Sequence, residues 1–198
     1  MRVAILASHG GSILQAVIDA CEAGTLDVEI ALVISNNSNA KALGRARSHG
    51  IETAHLSSQT HPDPDALDRA ISSRLTQADV AWVVLAGYMK KLGPGTLAAY
   101  RNRILNTHPA LLPGYGGLGF YGRKVHAAVL AAGESESGAT VHLVDGEYDT
   151  GPILSQVKVP VRQDDDVHTL EERVQVAERK LIVATLRDLS MRQEASGY

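Results

Sequence analysis

The sequence predicts an α/β fold: a doubly wound, mostly parallel sheet with helices on both faces. Three observations carry that expectation. Strand-like and helix-like patterns alternate from the N-terminus through residue 108, the signature of parallel strands joined by crossover helices. The longest apolar run, residues 80–89, is too short to cross a bilayer and suits a strand buried on both faces. The segment 103–108 reads as a short buried strand stopped by Pro109, and its Asn106 and His108 share one face because side chains alternate.

The elements follow in order. Residues 3–7 form a buried strand. Gly10 and Gly11 turn the chain, and Ser12 caps the next helix. Ile13, Leu14, Val17, Ile18 and Cys21 recur there at helical spacing, and Gly24 ends it. Residues 28–34 are the second strand. Asn39 caps a short helix to Ser48, closed by Gly50, and 51–56 is a short strand nearer an edge. Pro62 or Pro64 opens a helix with Ala66, Leu67, Ala70, Ile71 and Leu75 as its apolar stripe. Residues 80–86 form the central strand, 97–100 a short helix and 104–108 the fifth strand. Residues 114–122 hold five glycines in nine positions and read as a flexible loop. A helix over 123–132 follows, then strands at 139–144 and 153–161, antiparallel across the loop that carries Asp149. Residues 166–189 form a long amphipathic helix with Leu170, Val174, Ala177, Leu181, Val183 and Leu186 on or near its buried side; the polar tail from 190 is expected to fray.

With 198 residues the chain is expected to form a single domain over 1–198, large enough for a sizeable core. Twenty-two acidic against 19 basic residues argue against a general nucleic-acid binder. The single Cys21 excludes an intrachain disulfide framework and a Cys-rich zinc site, and no metal is expected. Five apolar residues after Arg2 are too few for a signal-peptide core, so the expectation is a cytoplasmic protein without a membrane segment.

Three segments carry candidate chemistry. Asn106 and His108 put a carboxamide donor and an imidazole where a strand runs out, the place at which open α/β sheets bind ligands. Asp149, in the turn-rich run Asp145-Gly146-Glu147-Tyr148-Asp149-Thr150-Gly151-Pro152, is positioned in sequence to orient that imidazole and hold its charge. Ser8-His9-Gly10-Gly11-Ser12 joins the first strand to the first helix, where free N–H groups favour an anion. It is neither Gly-X-Gly-X-X-Gly nor a P-loop, and the second strand ends in Ser35-Asn36-Asn37 without the acidic residue of a dinucleotide fingerprint. Gly87 in the segment leaving the central strand allows a ligand near the backbone, with Lys90 and Lys91 beside it.

Those residues resemble a family. Asn106-X-His108-Pro109-Ala110-Leu111-Leu112-Pro113 and Asp149-Thr150-Gly151-Pro152-Ile153 are similar to the hallmarks of 10-formyltetrahydrofolate-dependent formyltransferases, whose fold is Rossmann-like. Gly11-Ser12, the compact length and Arg173-Val174-Gln175-X-X-Glu178 resemble the phosphoribosylglycinamide (GAR) formyltransferase branch, over residues 3 to about 189. The resemblance implies roles. Asn106, His108 and Asp149 would be catalytic, with Asp149 raising the His108 pKa toward imidazolium. Gly11, Ser12 and Ile13 would take the GAR phosphate on their backbone, and Gln175 and Glu178 the phosphoribosyl part. The pterin of the folate would lie along Met89, Lys90, Lys91 and Leu92 and against Val144 and Asp145. The expected partners are small-molecule substrates, with 10-formyltetrahydrofolate as cosubstrate, in a monomer or homodimer that binds no nucleic acid.

Departures from the family pattern are informative. Ile13 stands where an Asn is common, Pro64 where some members place an Arg near the folate tail, and the 114–122 loop is longer than in some relatives. His126 and His142 match family positions and are read as structural or supporting. A formyltransferase acting on another amine shares this reading. A tRNA-directed enzyme or a formyltetrahydrofolate hydrolase would be expected to carry a further domain. A non-catalytic nucleotide- or folate-binding module is the reading from a different class, and the Asn106, His108 and Asp149 set argues against it.

Overall fold

Alternating burial builds the molecule around one sheet. In this computed structural model, which describes residues 1–195, the elements are β1 (Arg2–Leu6), α1 (Ser12–Glu22), β2 (Glu29–Ser35), α2 (Lys41–Ser48), β3 (Glu52–His55), α3 (Pro64–Gln77), β4 (Trp82–Leu85), α4 (Pro94–Ala99), β5 (Ile104–His108), α5 (Arg123–Ala131), β6 (Glu136–Leu143), β7 (Ile153–Pro160) and α6 (Val167–Ala195). The strand order is β3-β2-β1-β4-β5-β6-β7, with β4 central and β3 at an edge as expected. The first five strands run parallel, and β6 and β7 are antiparallel additions.

Period-two alternation assigns each strand residue to a face. Val3 and Ile5 pack with Leu14, Val17, Leu43, Ile182 and Leu186 beneath α1, α2 and α6. Ala4 and Leu6 pack with Ile71, Leu75, Tyr100 and Ile104 beneath α3 and α4. A third cluster, Val129, Ala139, Val159, Leu170 and Val174, seats α5 and α6 on the antiparallel end. Each large side chain so buried contributes about 1.5–3 kcal/mol.

The chain leaves β1 for β2 and β3 on one side and returns to β4 on the other. That reversal opens a crevice at the carboxyl ends of β1 and β4. Segments 7–12, 86–93 and 106–109 therefore share one rim of the sheet. Among the described residues, no helix is long and apolar enough to cross a membrane.

Local details correct three sequence expectations and decide between two alternatives in a fourth. Ser12 is the first helical residue, not the cap of α1; the N-cap is Gly11, in a left-handed conformation (φ 72°), and no side chain caps the helix. A Cβ on Gly11 would lie 2.8 Å from the Ala42 Cβ, so the turn needs both glycine's backbone freedom and its missing side chain. Ala40, not Asn39, precedes α2, while the Asn37 side chain accepts the Asn39 N–H at 3.0 Å and shapes the entry. At α3, Pro64 is the opening proline and Asp63 the unanticipated cap, accepting from the Asp65 and Ala66 N–H groups. The tail does not fray at 190: α6 runs on to Ala195, and Ser190 is buried with its hydroxyl donating to the Arg187 carbonyl at 2.9 Å. Residues 196–198 of the expected tail lie outside the described residues.

Candidate active site

Strand register assembles the reactive cluster. Antiparallel pairing of β5 with β6 sets Asn106 opposite His142 and His108 opposite Thr140. Asn106 and His108 face the same way, and the loop after β6 returns Asp149 over them. Gly151 makes that return possible: a Cβ there would sit 1.9 Å from the Leu143 carbonyl oxygen. Asp149 itself is left-handed (φ 58°), a conformation Asp tolerates better than most residues.

Asp149 is the hub. It accepts from Asn106 Nδ2 at 3.3 Å and from the Gly117 N–H at 2.9 Å, and its Oδ2 lies 3.4 Å from His108 Nδ1. Burial pushes the carboxyl up, but His142, the His108 charge and the Gly117 N–H outweigh it and hold Asp149 below the usual carboxylate range. His108 is buried, and its Nε2 donates to the Tyr115 carbonyl at 2.8 Å. Because a carbonyl only accepts, Nε2 carries the ring proton of the neutral form. Burial pulls the His108 pKa down, more strongly than Asp149 and the Tyr115 carbonyl push it up. The expected net rise toward imidazolium is therefore corrected: the carboxylate acts in the anticipated direction, but desolvation wins.

Two contributors lie beyond the sequence assignment of catalytic groups. His142 donates from Nδ1 to the Leu143 carbonyl at 2.9 Å, which leaves Nε2 to accept the Asn106 amide at 3.0 Å. It thereby orients the Asn106 carboxamide, a role read only as structural or supporting from sequence. The other is the glycine-rich loop, whose Tyr115 carbonyl and Gly117 N–H both enter the cluster. Sequence signals flexibility there, while the bonds depend on where the backbone lands. Phe120 stacks edge-on against Tyr115 at 6.2 Å, and Phe120 and Tyr121 remain 37 % and 48 % exposed, so neither is core.

The remaining predicted residues lie on the segments that leave β1 and β4, on the loop that carries Asp149, and on α6. The Gly11 turn presents the start of α1, where the Ser12 side chain is exposed and Ile13 points into the core. Arg45 lies alongside, its Nε donating to the Gly10 carbonyl at 3.0 Å and its Nη1 to Gln15 at 2.8 Å. Met89 is exposed, Leu92 buried, and Lys90 and Lys91 exposed. Lys91 reaches Glu147 at 3.4 Å and sits 5.5 Å from the Tyr148 ring centre, linking the 89–92 segment to the Asp149 loop. Asp145 shapes that loop by accepting from Thr150 at 3.0 Å, and the Val144 N–H holds the Ile104 carbonyl at 2.9 Å.

Gln175 and Glu178 stand apart from the cluster. Glu178 on α6 lies against Thr107, which faces away from Asn106 and His108, and burial pushes its carboxyl up. Gln175 donates to Glu171 at 3.3 Å. Among the described residues, neither hydrogen-bonds to Asn106, His108 or Asp149.

A carboxamide donor, an imidazole and a carboxylate converge here without a nucleophilic hydroxyl or thiol among them. That set suits acyl transfer by direct attack of one substrate on another. The chain belongs to the formyl transferase family, whose profile matches residues 1–186. Within it, the chain is 41 % identical to the phosphoribosylglycinamide formyltransferase of Mycobacterium tuberculosis, over 96 % of this chain and 85 % of that one. It is 38 % identical to the enzyme of the same name from Escherichia coli, over 91 % and 83 %. The crystal structure of phosphoribosylglycinamide formyltransferase from Bacillus halodurans superposes with a TM-score of 0.88 at 38 % identity, covering 96 % of this chain and 95 % of that one.

Proposed function

We propose that the chain, acting as one formyltransferase domain, moves a formyl group from 10-formyltetrahydrofolate to the amine of GAR in purine biosynthesis. The observation that carries this reading is the Asn106–His108–Asp149 cluster, set on the rim between a turn suited to phosphate and a segment suited to a pterin. The GAR phosphate rests on the N–H groups of Gly11, Ser12 and Ile13, and Gln175 and Glu178 contact the phosphoribosyl part. The pterin lies along residues 89–92 and against Val144 and Asp145.

In the reaction the neutral amine attacks the formyl carbon, and charge grows on the formyl oxygen. Asn106 keeps its bond to His142 and exchanges the longer 3.3 Å bond to Asp149 for one to that oxygen, a contribution of about 3 kcal/mol for one such donor. The attacking nitrogen becomes acidic and gives its proton to neutral His108, directly or through a water, and Asp149 stabilises the imidazolium so formed. The proton then passes to the folate N10 as its bond to the formyl carbon breaks. His108 ends neutral, and no covalent enzyme intermediate forms. Cys21 takes no part: it sits on α1, with its thiol bonded to the Val28 carbonyl at 3.1 Å and pushed up by burial.

The test is a formyl-transfer assay with 10-formyltetrahydrofolate against a panel of amines that includes GAR. GAR should be the preferred acceptor; preference for an unphosphorylated amine would overturn the assignment. One observation favours that second reading. The core-facing Ile13 gives the anion turn no polar side chain at its third position. An NMR titration with phosphate separates the two, because GAR recognition requires shifts of the Gly10 to Leu14 amides.

A further inference from the structure

We propose that Ser8 is a positioning residue for the formyl donor, tethering the folate-side backbone to the end of β1. The inference rests on the folate reading above. Ser8 is buried at the point where the carboxyl ends of β1, β2 and β4 meet. Its hydroxyl donates to Asn36 Oδ1 at 2.5 Å, just beyond β2, and accepts the Met89 N–H at 2.7 Å, just beyond β4. Its own N–H bonds the Gly87 carbonyl at 3.1 Å.

The segment from 87 to 92 needs such a tether. Sheet pairing ends at Leu85, the Ala86 N–H still bonds Leu6, and Gly87 then turns the chain at φ 68°. The next anchor lies beyond Leu92, where Asp68 accepts the Gly95 and Thr96 N–H groups of α4. Between the two, among the described residues, the backbone groups of 90–92 make no hydrogen bond to the rest of the chain. Those unengaged groups are the ones a pterin edge requires, and the bonds from Ser8 set where they stand. Two residues after Ser8 the chain enters the Gly10-Gly11 turn, which the packing of Gly11 on Ala42 holds without help from Ser8, so the tether acts on the folate side.

The test uses Ser8→Ala and Asn36→Ala in the full chain, with a non-transferable 10-formyl folate analogue as probe. Loss of the partner of a partly buried N–H predicts about a tenfold weaker Kd for the analogue in Ser8→Ala. Asn36→Ala, which frees the hydroxyl without deleting it, should weaken binding about threefold. Phosphate affinity should change less than about twofold, because α1 and α2 hold the Gly11 turn independently. In turnover, donor KM should rise while kcat stays within about threefold, since Ser8 touches no reacting group. A folded Ser8→Ala with wild-type donor affinity overturns the proposal, as does equal loss of donor and phosphate affinity. If Ser8→Ala does not fold, unchanged donor affinity in Asn36→Ala overturns it. A wild-type chain that fails to bind the analogue overturns the folate reading itself, whereas wild-type transfer to an amine other than GAR leaves the Ser8 test intact.

Discussion

Asp149→Asn isolates the charge at the centre of the cluster while keeping its shape. Asn tolerates the left-handed backbone at 149 as well as Asp does, so no new strain enters. At 3.4 Å and an effective dielectric near 20, a carboxylate and an imidazolium attract by about 5 kcal/mol. That is a ceiling, since the Asn side chain and water recover part of it. A loss of about 3–4 kcal/mol in the transition state, where the imidazolium exists, predicts kcat lower by about 10²–10³. The ground state loses less, because His108 is neutral there. The ionised Asp149 stabilises the fold above its unfolded pKa, and that contribution disappears as pH falls through the depressed folded value. Wild type and variant should therefore differ slightly in thermal stability at pH 7 and converge at acid pH. The pH–rate profile gives the second readout. Without the upward push from Asp149, the acidic limb that reports His108 should move to lower pH. Steady-state kinetics from pH 5 to 9 with saturating donor would measure both effects. Turnover within tenfold of wild type, or an unmoved acidic limb, refutes the role assigned to Asp149.

Other perturbations reach different parts of the site. Asn106→Ala should lower kcat about a hundredfold with little change in donor KM, the pattern of a lost oxyanion donor; steady-state kinetics would check it. Gly11→Ala forces a side chain onto Ala42 at positive φ, so it should cost at least about 1–2 kcal/mol of stability and weaken phosphate binding, with Ala42→Gly restoring part of the loss in denaturant titrations. Glu178 has a raised folded pKa, so its contribution favours the fold below the unfolded value and is lost as pH rises through the folded one. Thermal melts of Glu178→Gln should accordingly lose less stability than wild type between pH 4 and 8. In amide hydrogen exchange, Gly117 should be protected through its bond to Asp149, and Asp149→Asn should weaken that protection; exchange at Gly117 as fast as in a free peptide would contradict the pinned loop.

Much of this was legible because it is written in short-range patterns. Short apolar runs between turn signals marked the strands, and the Pro109 stop with Asn106 and His108 on one face brought two reactive groups together. Caps were less legible. Ser12 and Asn39 have the right chemistry, but the left-handed Gly11 packed on Ala42 and the Asn37 turn displace each start by a residue or so. The extent of α6 was misjudged because polar composition hides the burial of Ser190. What sequence conceals most is register. His142 becomes the partner of Asn106 only through antiparallel pairing across 36 residues, and nothing local announces it.

The same long-range geometry decides the charge state that local chemistry misjudges. A carboxylate beside an imidazole suggests a cation, and the Asp149 field does push that way. Yet His108 is almost wholly buried, and removing a charge from water costs more than one partner at 3.4 Å returns. The neutral ring is what the proposed chemistry needs, since an imidazolium could not take the proton of the attacking amine. With Nε2 donating to Tyr115, the ring's lone pair lies at Nδ1, toward Asp149, an arrangement that improves the moment a proton arrives there. Burial thus keeps His108 a base before attack, and Asp149 makes it a held acid afterwards. A more exposed His108 would lose the first property, and an absent Asp149 the second.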